Sequence, residues 1–170
     1  TPDGRLRAQV HQKLTHLAEA GASGLQMSLG KLAAPNCEWR AVHPMNEMQG
    51  NAMAADRIWS PLFAAFPDLE RRDVILLAGR FQGKTQVAAL GHYSGTMKRD
   101  WLGIPATGKT VWLRYGEVWQ IGDDGRAVQA TLLWDVLDVM RQAGVWPLAP
   151  SLGVECMWPG PLTADGVRLA

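Results

Sequence analysis

The chain has 170 residues, 47% hydrophobic and 19% charged, with a formal net charge of +1; this is the composition of one folded domain and not of a disordered segment. Scattered Lys and Arg leave no footprint for nucleic acid and no polybasic membrane patch, and no apolar run approaches the ~20 residues that span a bilayer. The opening TPDGRLRAQV lacks a signal-peptide plan, and Cys37 and Cys156, with no Cys/His cluster near them, exclude a disulfide scaffold or a zinc site and fit reduced thiols in a cytoplasmic protein.

Leu6, Val10, Leu14 and Leu17 recur at helical spacing, which predicts a helix over residues 5–20 that stops at Gly21. Residues 22–37 are rich in Gly and Ala and carry no clear period. Residues 39–42 form a short strand candidate, ended by His43-Pro44. Met53, Ile58, Trp59, Leu62 and Phe63 predict a second helix over 50–66, but Pro61 lies inside it and would clash with the turn before. From residue 69 onward the pattern is β. Strands are predicted over 72–81, 86–97, 110–121 and 127–134, with Gly91 and Gly95 as bends and Gly122-Asp123-Asp124-Gly125 as a hairpin turn. Residues 135–143 read as a short helix capped by Asp135 and stopped by Gly144. The division expected is one domain over 1–145 and a Pro-rich tail or linker over 146–170.

Residues 111–121 hold a conflict between pattern and chemistry. Alternation puts Val111, Leu113, Tyr115, Glu117, Trp119 and Ile121 on one face, and Trp112, Arg114, Gly116, Val118 and Gln120 on the other. Glu117 is thus a carboxylate on an apolar, aromatic face. It must be paired or face a cavity, because burying it bare is costly. The candidate partners are Arg114 or an arginine of the helices. The eight tryptophans suit either a large core or an aromatic-lined pocket.

Helices followed by consecutive strands imply an α+β fold, with helices packed on one face of a curved, mostly antiparallel sheet. The stretches GHYSGTMKRDWLGIPATGK, RYGEVWQIGDDGR and LLWDVLDVMRQAGV, with FAAFPDLERRDVILLAGR upstream, resemble the SnoaL-like polyketide cyclases and ester cyclases of the NTF2-like superfamily. The resemblance covers about residues 37–145. It implies an NTF2-like cone and a cofactor-free ring closure by intramolecular aldol condensation. It also implies that the acid at the end of the last strand, Asp135 here, is the base. A carboxylate in an apolar cavity is a stronger base than one in water. Met97 stands where many relatives have His, so a His role at that position is absent.

The candidate catalytic residues are therefore Asp135, Glu117 and His92. Strict alternation turns His92 away from Met97 unless a bulge at Gly95 resets the phase. The candidate substrate-binding residues are Tyr115, Trp119, Tyr93, Met97, Trp59 and His43, with no metal ligand and no cofactor expected. Each has a structural alternative: Asp135 as a helix cap, Glu117 as an ion pair, the aromatics and Met97 as core. His11 and His16 read as solvated. Two functions follow. One is a cyclase, or a related isomerase or hydrolase, acting on a hydrophobic carbonyl or ester compound. The other is a non-catalytic module that binds a small molecule or dimerises. The outer sheet face, with Trp112, Val118 and Trp134, predicts a homodimer or pairing with a tandem copy.

Overall fold

The computed structural model describes residues 2–150, 152 and 153. Helix α1 spans Pro2–Leu32 and is broken at Gly21, whose φ of 59° and ψ of −154° are not helical. Glycine alone takes that conformation without strain. The predicted stop at Gly21 is thus a sharp bend, and a second helical arm continues through the Gly- and Ala-rich stretch that showed no period. Leu14, Leu17, Leu25 and Leu29 of the two arms are buried.

Strand β1 (Ala33–Ala41) starts earlier than the 39–42 candidate, and a short β2 (Glu47–Gln49) pairs with it. The helix expected over 50–66 is built in three pieces: α2 (Asn51–Ala54), a π-helical turn (Ala55–Trp59) and α3 (Ser60–Ala65). This disposes of the Pro61 problem. The wide π turn lies just ahead of the proline, which then sits in the first turn of α3, where its missing N–H costs nothing.

Strands β3 (Glu70–Phe81), β4 (Lys84–Thr96), β5 (Thr110–Ile121) and β6 (Ala127–Trp134) form antiparallel neighbours. The six-stranded sheet has the order β2-β1-β6-β5-β4-β3, and only β1 and β6 run parallel. Its inner face buries Val87, Ala89, Tyr93, Leu113, Tyr115, Trp119, Leu132 and Trp134 against the helices. Trp134 therefore points inward and not, as expected, onto the outer face that Trp112 and Val118 occupy.

Helix α4 (Val136–Gln142) follows β6 and ends at Gly144, whose φ is 75°. It is tied to β5 by Gln142, whose amide accepts from the Trp112 N–H (3.1 Å) and donates to the Trp112 carbonyl (2.7 Å). β6 ends at Trp134, opposite Tyr115, and Gln142 continues the edge pairing beyond that point. Most of the Pro-rich tail expected over 146–170 lies outside the described residues.

Candidate active site at the mouth of the cone

The inner strand positions gather a buried polar network. Arg71 enters from β3 with its side chain fully buried, as is that of Glu117. Arg71 Nη1 donates to Glu117 Oε2 (2.8 Å) and to the Tyr93 hydroxyl (2.7 Å). Its Nη2 donates to Asp73 Oδ1 (2.8 Å). Glu117 also accepts from the indole N–H groups of Trp134 (2.9 Å) and Trp119 (3.2 Å) and from the Tyr93 hydroxyl (3.3 Å). The Tyr115 hydroxyl donates to Asp73 Oδ1 (2.6 Å), and the Arg71 guanidinium lies over the Tyr115 ring at 4.3 Å. His11 Nδ1 contacts Asp73 Oδ2 at 2.9 Å, so this half-exposed histidine of α1 is bonded and not merely solvated.

The electrostatics follow from this arrangement. Burial alone would push the Asp73 carboxyl up. The Arg71 guanidinium, with hydrogen bonds from Arg71, Tyr115 and His11, brings it below its ordinary 3.8. Burial raises the hydroxyls of Tyr93 and Tyr115, which remain protonated donors. A group whose folded value is lowered adds stability above its unfolded value and loses it as pH falls through the folded value. The stability gap between the native chain and Asp73→Asn should therefore be full at neutral pH and shrink below 3.8. Urea titrations followed by circular dichroism at a series of pH values check this; a gap that stays constant into strong acid contradicts it.

The upper interior is filled by rings. Trp39 meets Trp59 (6.2 Å) and Trp119 (5.7 Å), Trp59 meets Trp134 (5.5 Å), and Trp101 meets Trp134 (6.4 Å) and Phe66 (6.0 Å). Of the two readings of the tryptophans, core packing describes Trp39, Trp59, Trp101 and Trp119, while the buried Trp134 also lines the cavity. The open volume lies at the mouth, a cavity of about 660 Å³. Trp134, Asp135, Val136 and Met140 line one side, Val42, His43 and Pro44 another, and the 102–105 turn a third.

That turn is a built feature. Trp101 and Ile104 exchange backbone hydrogen bonds (3.0 and 2.8 Å), and both central residues have positive φ, Leu102 at 53° and Gly103 at 80°. Such a turn suits Asn-Gly, and a leucine at its first central position is strained by roughly 1–3 kcal/mol. The strain is held by the cross-turn bonds and by Asp100, whose Oδ1 accepts from the Ala106 N–H (2.9 Å). Its effect is to set Leu102 on the cavity wall.

Asp135 caps α4, accepting from the Asp138 N–H at 3.0 Å through Oδ1. Its Oδ2 accepts from Arg114 Nη2 at 2.7 Å. The side chain is still 35% exposed, so a guest in the cavity can reach it. Arg114 thus pairs with Asp135 and not with Glu117, whose partner comes from strand β3 and not from a helix.

Of the residues singled out from sequence, Asp135 and His43 meet at the mouth cavity. Glu117, Tyr93, Tyr115 and Trp119 meet in the buried network beneath it. Trp59 and Met97 are buried in the core. His92 is paired in register with Arg72 and Arg114 on the outer face, where burial and then Arg72 lower its pKa from 6.5. Sequence reasoning missed Arg71 as the counter-ion, and Leu102 and Met140 as part of the cavity wall. The GIPATGK turn was the available signal for Leu102. Among the described residues no group of acidic, His or Cys side chains could hold a metal ion, and no helix is long and apolar enough to cross a membrane.

The six-stranded sheet closed by helices is an α+β fold shared with NTF2-like proteins of known structure. The chain belongs to the SnoaL-like polyketide cyclase family, whose model matches residues 11–143. Solved structures share the fold. A candidate SnoaL-like polyketide cyclase from Jannaschia sp. CCS1 is 19% identical, with 85% of this chain and 96% of that chain covered and a TM-score of 0.64. AclR, a candidate hydroxylase from Streptomyces galilaeus, is also 19% identical, covering 87% and 86% at a TM-score of 0.68. TsrD from Streptomyces laurentii is 26% identical, covering 82% and 97% at a TM-score of 0.62. No curated protein sequence matches the chain.

Proposed function

We propose that the chain binds an apolar carbonyl or ester compound in the mouth cavity and closes a ring in it without a cofactor. The observation that supports this reading most is Asp135, a reachable carboxylate on the wall of a largely apolar cavity. Asp135 takes a proton from a carbon activated by adjacent carbonyls. The enolate carbon bonds to a second carbonyl carbon of the same molecule, and the electron pair of that carbonyl moves onto its oxygen. The alkoxide then takes that proton back from Asp135, which restores the carboxylate. Arg114 holds the Asp135 carboxylate in one orientation, and the apolar walls hold the chain of the substrate folded near its attacking geometry. A cytoplasmic setting suits Cys37, a buried free thiol whose pKa burial pushes up to about 12.

The test is Asp135→Asn, assayed for cyclisation of an aromatic poly-β-ketone methyl ester. Asn caps a helix about as well as Asp, and a partly exposed ion pair contributes little. The melting temperature should therefore stay within a few degrees while turnover falls by roughly two orders of magnitude or more. Normal turnover removes Asp135 from the mechanism. A second reading, a non-catalytic ligand holder, draws support from two facts: both Asp135 oxygens are already engaged, and the interior behind the cavity is packed. Calorimetric binding of the ester with no conversion by the native chain favours that reading.

We also propose that the outer sheet face pairs with a second copy. Ile75, Leu90, Gly116 and Leu133 align across four strands, beside Leu77, Ala88 and Val118. Leu133 is 62% exposed and Leu90 38%, and an apolar patch without cover is a common interface. Sedimentation should show a dimer that Leu90→Glu/Leu133→Glu dissociates. A native chain that sediments as a monomer at every concentration contradicts the pairing.

A further inference from the structure

The mouth cavity lies beyond the end of β6, next to Asp135. A second cleft, of about 840 Å³, lies at the opposite end of that strand, next to Arg126. We infer that this cleft binds a small phosphate monoester. It is formed by the two arms of α1 and the turn between β5 and β6. The bend at Gly21 brings Ser28 and Lys31 of the second arm alongside His11, Lys13 and His16 of the first.

Charge selects an anion. Asp124 neutralises Arg126 (Nη2 to Oδ2, 2.7 Å) and also accepts from the Arg126 N–H (2.9 Å), which fixes the turn. Lys13 Nζ donates to the Gly125 carbonyl at 2.7 Å, and its charge also acts on Asp124. Among the described residues, neither Lys13 nor Lys31 forms an ion pair, and Glu19 is the one carboxylate of the cleft that Asp124 leaves uncounted. Lys13, Lys31 and Arg126 thus face Glu19 and Asp124, an excess of one positive charge, with the imidazoles of His11 and His16 beside them.

Ser28 points to a bound ligand independently of charge. Ser28 lines the cleft and is 1% exposed, and its hydroxyl oxygen has no hydrogen-bond partner. Buried hydroxyls are nearly always bonded, and one left unpaired destabilises the fold. An acceptor oxygen entering the cleft would complete it. Donors arriving from three chain segments suit a tetrahedral group with several terminal oxygens better than a planar carboxylate. A phosphate monoester also carries close to two negative charges at neutral pH, which the excess of cations over acids in the cleft attracts. The volume leaves room for the esterified body beyond the phosphate.

Phenyl phosphate and inorganic phosphate, with phenol as control, test the site by amide NMR titration of the whole chain. Saturable shifts are expected for both phosphates, confined to residues 11–19, 28–31 and 124–126, with none for phenol. Lys31→Gln and Ser28→Ala should each weaken binding by about tenfold. The melting temperature of Ser28→Ala should be unchanged or higher, because that variant removes an unpaired hydroxyl. The inference is overturned by the absence of saturable shifts, by equal shifts around Lys98 and Lys109, or by unaltered affinity in Lys31→Gln. Cyclisation at Asp135 is not involved in any of these readouts.

Discussion

Replacing Arg71 by Met should cost about 3–5 kcal/mol of folding stability, because it leaves Glu117 and Asp73 buried without their cation. The size of the effect comes from the charges left behind and not from the guanidinium's own packing. Adding Glu117→Gln to Arg71→Met should therefore recover part of the loss, although each change alone is destabilising. Arg71→Lys should not rescue the fold fully. An ammonium cannot reach Asp73, Glu117 and the Tyr93 hydroxyl at once from one planar fork. Urea denaturation followed by circular dichroism measures all four variants. A loss under about 1 kcal/mol for Arg71→Met would mean that water or a shifted side chain compensates the two acids, and that the network is not what fixes the interior.

Gly91→Ala should be the other severe substitution, at about 3 kcal/mol or more. A Cβ at this position would lie 2.1 Å from the Arg72 carbonyl oxygen and 2.6 Å from the Tyr115 hydroxyl. Neither neighbour can retreat cheaply. The Arg72 carbonyl is backbone of the adjacent strand, beside the register shift between Asp73 and Ile75. The Tyr115 hydroxyl is held at 2.6 Å by Asp73. The glycine is required here for close approach and not for an unusual φ. Denaturation midpoints of Gly91→Ala against Gly79→Ala provide the contrast, since a Cβ at Gly79 meets nothing within 4 Å. Similar losses at both sites would show that strand glycines are costly here only for general reasons.

Much of this was legible in the chain. The bounds of β5 and β6 follow from alternation and from the hairpin turn between them, and the inward direction of Glu117 follows from the same alternation. The cap of α4 at Asp135 was equally local. What could not be read were partnerships across strands. Arg71 reaches Glu117 from two strands away, and nothing in the local sequence of either residue names the other. The continuation of α1 past Gly21 was hidden because Gly and Ala erase the periodic signal. The break in the second helix was visible as Pro61, but its π-helical form depends on the core that Ile58 and Trp59 enter. The filled interior was also beyond reach, because the count of tryptophans does not say which of them touch.

Those touching indoles give the molecule an internal reporter. Trp134 lines the mouth cavity and stacks edgewise or tilted against Trp59 and Trp101. Excitation absorbed anywhere in the cluster migrates among rings this close. A guest that perturbs Trp134 therefore alters the intrinsic fluorescence of the whole group, and occupancy of the mouth can be followed by emission without attaching a dye.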